Sequence, residues 1–170
     1  ARRRDASGRA GLTRARGGKE KFYAGVPVFF ASDWHYGERV RPAEIAGLNE
    51  YNVEIAHKRA ETFIQQGVEL LKDHMPRSTY DGCVFVLGGD MISGDIHDEL
   101  AQTNEVESIP AVLGLVGVLS ASISRLADEF GRVFVPCVTG NHGRMSRKPR
   151  AKRRNHTNFD WLLYNLLAMH

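Results

Sequence analysis

Three short apolar runs and three stretches of helical spacing organise the chain from residue 26 onward. Residues 26–31 form a brief run rich in Val and Phe that predicts a buried strand, with Pro27 tolerable because it lies at the start. Over residues 52–74, Ile55, Ala56, Ala60, Phe63, Ile64, Leu70 and Leu71 recur every three or four positions, the spacing of an amphipathic helix. Asn49 or Asn52 is placed to cap that helix, and Pro76 lies just past its end. A turn over residues 78–82 leads into Cys83–Leu87, a second buried strand. The polar residues 92–108 predict a loop and a short helix. Residues 112–130 predict a long, mostly apolar helix, with Pro110 at its first position, Ser108 as cap and Gly131 as stop. Residues 133–139 predict a third strand, and residues 159–169 a closing amphipathic helix capped by Asn158 or Thr157. Strands alternating with long helices predict an α/β fold: a sheet of largely parallel strands packed by helices. Residues 1–25 have no apolar periodicity and read as a basic flexible arm or linker, which leaves residues 26–170 as the packed domain.

Composition changes this picture in one respect. The overall charge is a modest +3, but it is unevenly spread. Residues 1–22 carry eight Lys or Arg against two acids, and residues 144–154 carry seven against none. Residues 23–143 carry eight against seventeen acids. An acidic body between two basic segments suits a cation site within and a polyanionic partner such as nucleic acid outside. The plainer alternative is that the basic runs are solvated tails. No run of about 18 apolar residues occurs, so no membrane segment is expected. Two cysteines without a spacing pattern give no disulfide framework, and a cytoplasmic protein is expected. The absence of an initiator Met suggests an upstream cut.

The candidate chemistry sits at the strand ends. The first predicted strand ends in Ser32-Asp33-Trp34-His35, the second in Gly88-Gly89-Asp90, the third in Gly140-Asn141-His142. If the strands are neighbours, their carboxyl ends converge on one volume, where ligands bind in open α/β sheets. Asp33 and His35, two apart, can both project from one strand end. A carboxylate with an imidazole suits Mn, Fe or Zn better than Mg or Ca. Asp90 could bridge two cations, Asn141 offers an amide oxygen to a second ion, and His142 could face the substrate. Two cations about 3.5–4 Å apart would stabilise the attacking and leaving oxygens of an in-line displacement at phosphorus, with metal-bound hydroxide as nucleophile.

In their order, S-D-W-H-Y-G, L-G-G-D-M and T-G-N-H-G, each after an apolar strand, resemble the calcineurin-like metallophosphoesterase superfamily over residues 26–143. Residues 88–99 and 132–160 are also similar to phosphoesterases of phages and prophages. The resemblance implies two divalent metal ions, Mn2+ first and Fe or Zn as alternatives. Asp33 and His35 would bind the first metal, Asp90 would bridge, Asn141 would bind the second, and His142 would contact the phosphate or protonate the leaving group. Two departures stand out. The family's acid after G-N-H is Gly143 here, so the carboxylate that orients His142 would come from Asp95 or Asp98, or be absent. The family's downstream histidines have no counterpart before His170, which reads as a domain incomplete at its C-terminus.

The basic loop, with Arg144, Arg147, Lys148, Arg150, Lys152, Arg153 and Arg154, begins directly after the third motif. It therefore reads as a substrate or nucleic-acid contact whose binding weakens with salt. Tyr36, Trp34 and Trp161 offer surfaces for base stacking, although core packing is the simpler reading of the two tryptophans. His57 and His74 read as solvated. His97, close behind the second motif, reads first as a polar helix-start residue, and His156 is not expected to be a ligand. The expected function is a dinuclear metal-dependent phosphodiesterase or nuclease. The alternatives are a phosphomonoesterase, or an inactive nucleic-acid-binding module on the same fold.

Overall fold

A computed structural model describes residues 25–75 and 80–170. The arm expected over residues 1–25 falls almost wholly outside them, as do Pro76 and the start of the turn at Ser78. The protein is α/β: a three-stranded parallel sheet, in the order β1 (Val28–Ala31), β2 (Cys83–Leu87), β3 (Val133–Phe134), packed by helices. Helix α1 (Val53–Glu69) crosses from β1 to β2. Helices α2 (Asp98–Thr103) and α3 (Ser108–Phe130) cross from β2 to β3, and α4 (Phe159–Met169) follows the basic loop. Because every strand points the same way, all three motifs lie at one edge of the sheet.

Local chemistry explains where the elements begin and end. Asn52 caps α1 by accepting from Ile55 N at 2.8 Å, whereas Asn49 accepts from Arg59 instead. The helix then widens into a π turn at Leu70–His74; Val68 is buried in the apolar stripe, and Leu70, two residues on, lies off it at 56% exposure. Helix α3 starts two residues earlier than Pro110 suggested: Ala111 N already bonds to Glu107 O at 2.9 Å, and Pro110 sits in the first turn, where its missing N–H has no acceptor to serve. Ser108 is thus helical and caps nothing; its hydroxyl is buried without a hydrogen-bond partner.

The third strand is shorter than expected. Val133 and Phe134 pair with Cys83 and Val84, and Cys137 bridges Leu87 in the same register. Between them Pro136 has no N–H to give to the ladder, so regular pairing lapses. Leu87 N to Pro136 O at 2.9 Å and Val138 N to Leu87 O at 2.8 Å still hold the segment beside β2 as far as the third motif.

The two sheet faces differ. Phe29, Ala31, Cys83, Phe85 and Leu87 point into a core with Ala56, Ile64 and Val68 of α1, Leu115, Leu119 and Leu126 of α3, and Leu163 of α4. Each large side chain so buried contributes roughly 1.5–3 kcal/mol. On the other face Val28, Phe30 and Phe134 remain 62%, 62% and 68% exposed, and among the described residues no helix covers them. Helix α3 is long and apolar enough to cross a membrane by length and composition alone, a test that a core helix also passes.

Candidate metal centre

Backbone hydrogen bonds lace together the first two loops beyond the strand ends, and side chains tie in the third. Gly88 N donates to Ala31 O at 2.7 Å, Asp33 N to Gly89 O at 3.1 Å, His35 N to Asp90 O at 3.1 Å and Tyr36 N to Met91 O at 2.9 Å. The Asp90 carboxylate accepts the His142 amide at 2.6 Å, joining the second loop to the third. The His35 and His142 rings meet edge to face, with centroids 4.4 Å apart, and the His97 ring lies 5.4 Å from His142.

This lacing forces unusual backbone. Asp33, His35 and Asp90 adopt φ of 55°, 46° and 49°. Left-handed conformations at non-glycine residues cost on the order of 1–3 kcal/mol each and cluster at functional sites. Of the five non-glycine residues with positive φ among those described, three are candidate metal ligands. Gly140 is required by close approach: a Cβ there would run into the Asp90 backbone and carboxylate. Gly143, where the resembled family has an acid, is explained in the same way. A Cβ would come within 2.7 Å of Asn158 Oδ1 and 3.0 Å of Asp160 N.

For His142, the last of the three expected alternatives holds: no carboxylate orients it. Its Nδ1 lies 2.9 Å from the Ser93 carbonyl, so a backbone oxygen, rather than Asp95 or Asp98, orients the ring. Asp98 is instead paired with Arg147. A neutral His142 gives its Nδ1 proton to Ser93 O and leaves Nε2 free to face a ligand. One expectation changes. Tyr36 is buried, and its hydroxyl lies 2.7 Å from His57 Nε2 with the rings stacked, so it offers no surface to a base; His57 itself is exposed, as expected. Burial, and then Glu105, raise the Tyr36 pKa. Tyr51, whose hydroxyl donates to Trp34 O at 2.5 Å, is pushed up to about 12, mainly by burial.

The side chains themselves do not form a closed ligand shell. Asp33 is exposed, with a carboxylate that accepts from its neighbour Ser32. Asn141 is exposed at the mouth of a groove. Among the described residues no three His, Cys, Asp or Glu side chains stand close enough to hold one ion. Comparison with protein-family models, with curated proteins and with solved structures found no match to this chain. The donors nonetheless fit a divalent cation by type, and the left-handed backbone at three of them fits a site built for something other than packing. Asp33, His35, Asp90 and Asn141 are the residues that would hold it.

The groove beside Asn141 has a volume of about 720 Å³ and is lined by Gly140, Arg144, Arg150, Arg154 and Asn158, with no acidic residue in its walls among the described residues. The basic loop is tied back at its ends by Met145 N to Thr157 O at 3.0 Å and Thr139 Oγ1 to Asn155 Oδ1 at 3.2 Å. Arg144 donates from Nε to Asn141 O at 2.9 Å. Of the seven basic candidates, Arg144, Arg150 and Arg154 line the groove. Arg147 is held by Asp98, and Lys148, Lys152 and Arg153 lie outside its walls.

One residue escaped the sequence reading. Asp160, fully buried at the start of α4, accepts Gly140 N at 2.8 Å, Asp90 N at 3.1 Å and Met91 N at 3.2 Å. Burial raises its pKa, and the amide donors pull the other way. The available signal was slight: Asp160 is the single charged residue in an otherwise uncharged helix.

Proposed function

We propose that the chain is a metal-dependent phosphoesterase of the calcineurin-like kind, hydrolysing phosphodiesters in nucleic acid. The observation that carries this reading is the lacing of three strand ends, with Asp33, His35 and Asp90 in left-handed backbone, beside an arginine-lined groove. Asp33, His35, Asp90 and Asn141 would hold two divalent cations, Mn2+ first. Such ions supply positive charge at the reacting phosphate. His142 is held through Nδ1, so its Nε2 is the atom that contacts the phosphate or, when protonated, passes a proton to the leaving oxygen. Arg144, Arg150 and Arg154 hold the neighbouring phosphates of a polymer, which favours a nucleic acid over a small monoester.

Turnover of bis(p-nitrophenyl) phosphate, p-nitrophenyl phosphate and a DNA oligonucleotide, measured with and without Mn2+, tests the proposal. Mn2+-dependent cleavage of the diesters that disappears in Asp90→Ala is expected. No turnover by Mn2+-saturated wild type, or turnover indifferent to Asp90, removes the enzyme. A second reading is a nucleic-acid-binding module without catalysis, and the open arrangement of the carboxylate and imidazole groups favours it. It requires salt-sensitive DNA binding with no Mn2+ uptake.

A further inference from the structure

The hydrogen bonds of the Asp160 carboxylate go to backbone amides and to none of the side chains proposed above as metal ligands. The carboxylate occupies a fully buried position yet meets backbone amides rather than a basic side chain. A buried carboxylate is a costly way to fill space, and a hydrophobic residue would serve simple packing better. The arrangement becomes intelligible from what the carboxylate joins. Asp90 N and Met91 N belong to the second loop and Gly140 N to the third, so one side chain spans the two loops that carry Asp90, Asn141 and His142.

The rest of the first turn of α4 works to the same end. Asn158, also buried, accepts Asp160 N at 2.8 Å and donates Nδ2 to Gly140 O at 3.0 Å. Phe159 N donates to Gly143 O at 2.6 Å. Both peptide groups of Gly140 are therefore gripped by α4, its N–H by Asp160 and its C=O by Asn158. The missing Cβ at Gly143 is what admits Asn158 to this position.

We propose that Asp160 is a positioning residue of the metal centre, setting the separation of the Asp90 and Asn141 loops through the amides of Asp90, Met91 and Gly140. This rests on the metal-dependent reading above. Carboxylates that orient a metal site from behind its ligands are worth about 10–100-fold in metal affinity.

The test uses the full chain and its Asp160→Asn and Asn158→Asp variants, with Trp161→Ala as a control on the exposed side of the same helix. Mn2+ affinity is measured by calorimetry, and amide exchange is followed at Asp90, Met91 and Gly140, below the melting temperature of each variant. Asp160→Asn should lose protection at those three amides and bind Mn2+ about 10–100-fold more weakly. Asn158→Asp keeps the helix cap but loses the donor to Gly140 O, so it stays folded and shows a smaller fall in the same direction. It carries the test if Asp160→Asn does not fold. Trp161→Ala should bind Mn2+ as wild type does. Wild-type Mn2+ affinity in a folded Asp160→Asn, or in Asn158→Asp when only that variant folds, overturns the positioning role alone. A wild type that takes up no Mn2+ overturns the proposed function and this inference with it.

Discussion

The interlocked strand ends and the basic loop are adjacent in sequence and in space, yet they are built on different principles. At the strand ends nearly every polar contact is to backbone, the glycines leave no room for a Cβ, and a buried carboxylate closes the set. In the basic loop the long side chains are mostly exposed; a few hydrogen bonds at the loop's two ends and the Arg147–Asp98 pair tie it down. The first region resembles a core in which one atom of displacement is felt. The second is a surface in which charge matters more than geometry. A reaction centre needs the first kind of construction, because ligands must be held in place before a cation arrives. A polymer track needs the second, because it must accept many sequences.

Substitutions can break this comparison, and they rank accordingly. Gly140→Ala drives a Cβ into Asp90, and overpacking of this kind costs about 3 kcal/mol. A chemical melt of the variant should show that loss together with weakened Mn2+ uptake, whereas unchanged stability would mean the loops are less tightly packed than described. Asp90→Asn keeps the shape but removes the charge and should lower Mn2+-dependent diester turnover at least about 100-fold, read from kcat/KM.

Arg150→Ala with Arg154→Ala should leave bis(p-nitrophenyl) phosphate turnover intact. For an oligonucleotide it should raise KM and reduce the salt slope of binding by about 1 per arginine. Equal damage to both substrates would show that the loop belongs to the reaction centre after all. Arg147→Ala should be the mildest, at about 0.5 kcal/mol or less, because the Asp98 pair is exposed on both sides. A thermal melt that falls by more than a few degrees would give the loop a structural role.

What the sequence disclosed follows the same division. Strand β2 agrees with its apolar run residue for residue, and Asn52 and Asn158 cap the helices as their side chains suggested, because these signals are local. The parallel order, which places the three motifs at one edge, was implied by strand and helix alternation. The place of Pro110 in its helix was misread, and the strand expected over residues 133–139 pairs regularly only at Val133–Phe134, ahead of Pro136. A proline in a first helical turn does not say which residue of the turn it occupies, and a proline in a strand breaks one bond of the ladder without moving the chain.

Asp160 and Ser93 were invisible for a deeper reason. They act on the motifs through backbone amides and carbonyls at distant positions, and a main-chain partner leaves no residue type to recognise. Arg147 looked like its six basic neighbours because its partner Asp98 is far away in the chain.

The central claim is that these three strand ends hold divalent cations. Crystals of the wild-type chain grown with Mn2+, with anomalous scattering recorded at the manganese edge, test it most directly. The account predicts two anomalous peaks in contact with the side chains of Asp33, His35, Asp90 and Asn141. Well-ordered loops in saturating Mn2+ with no peak there would contradict it.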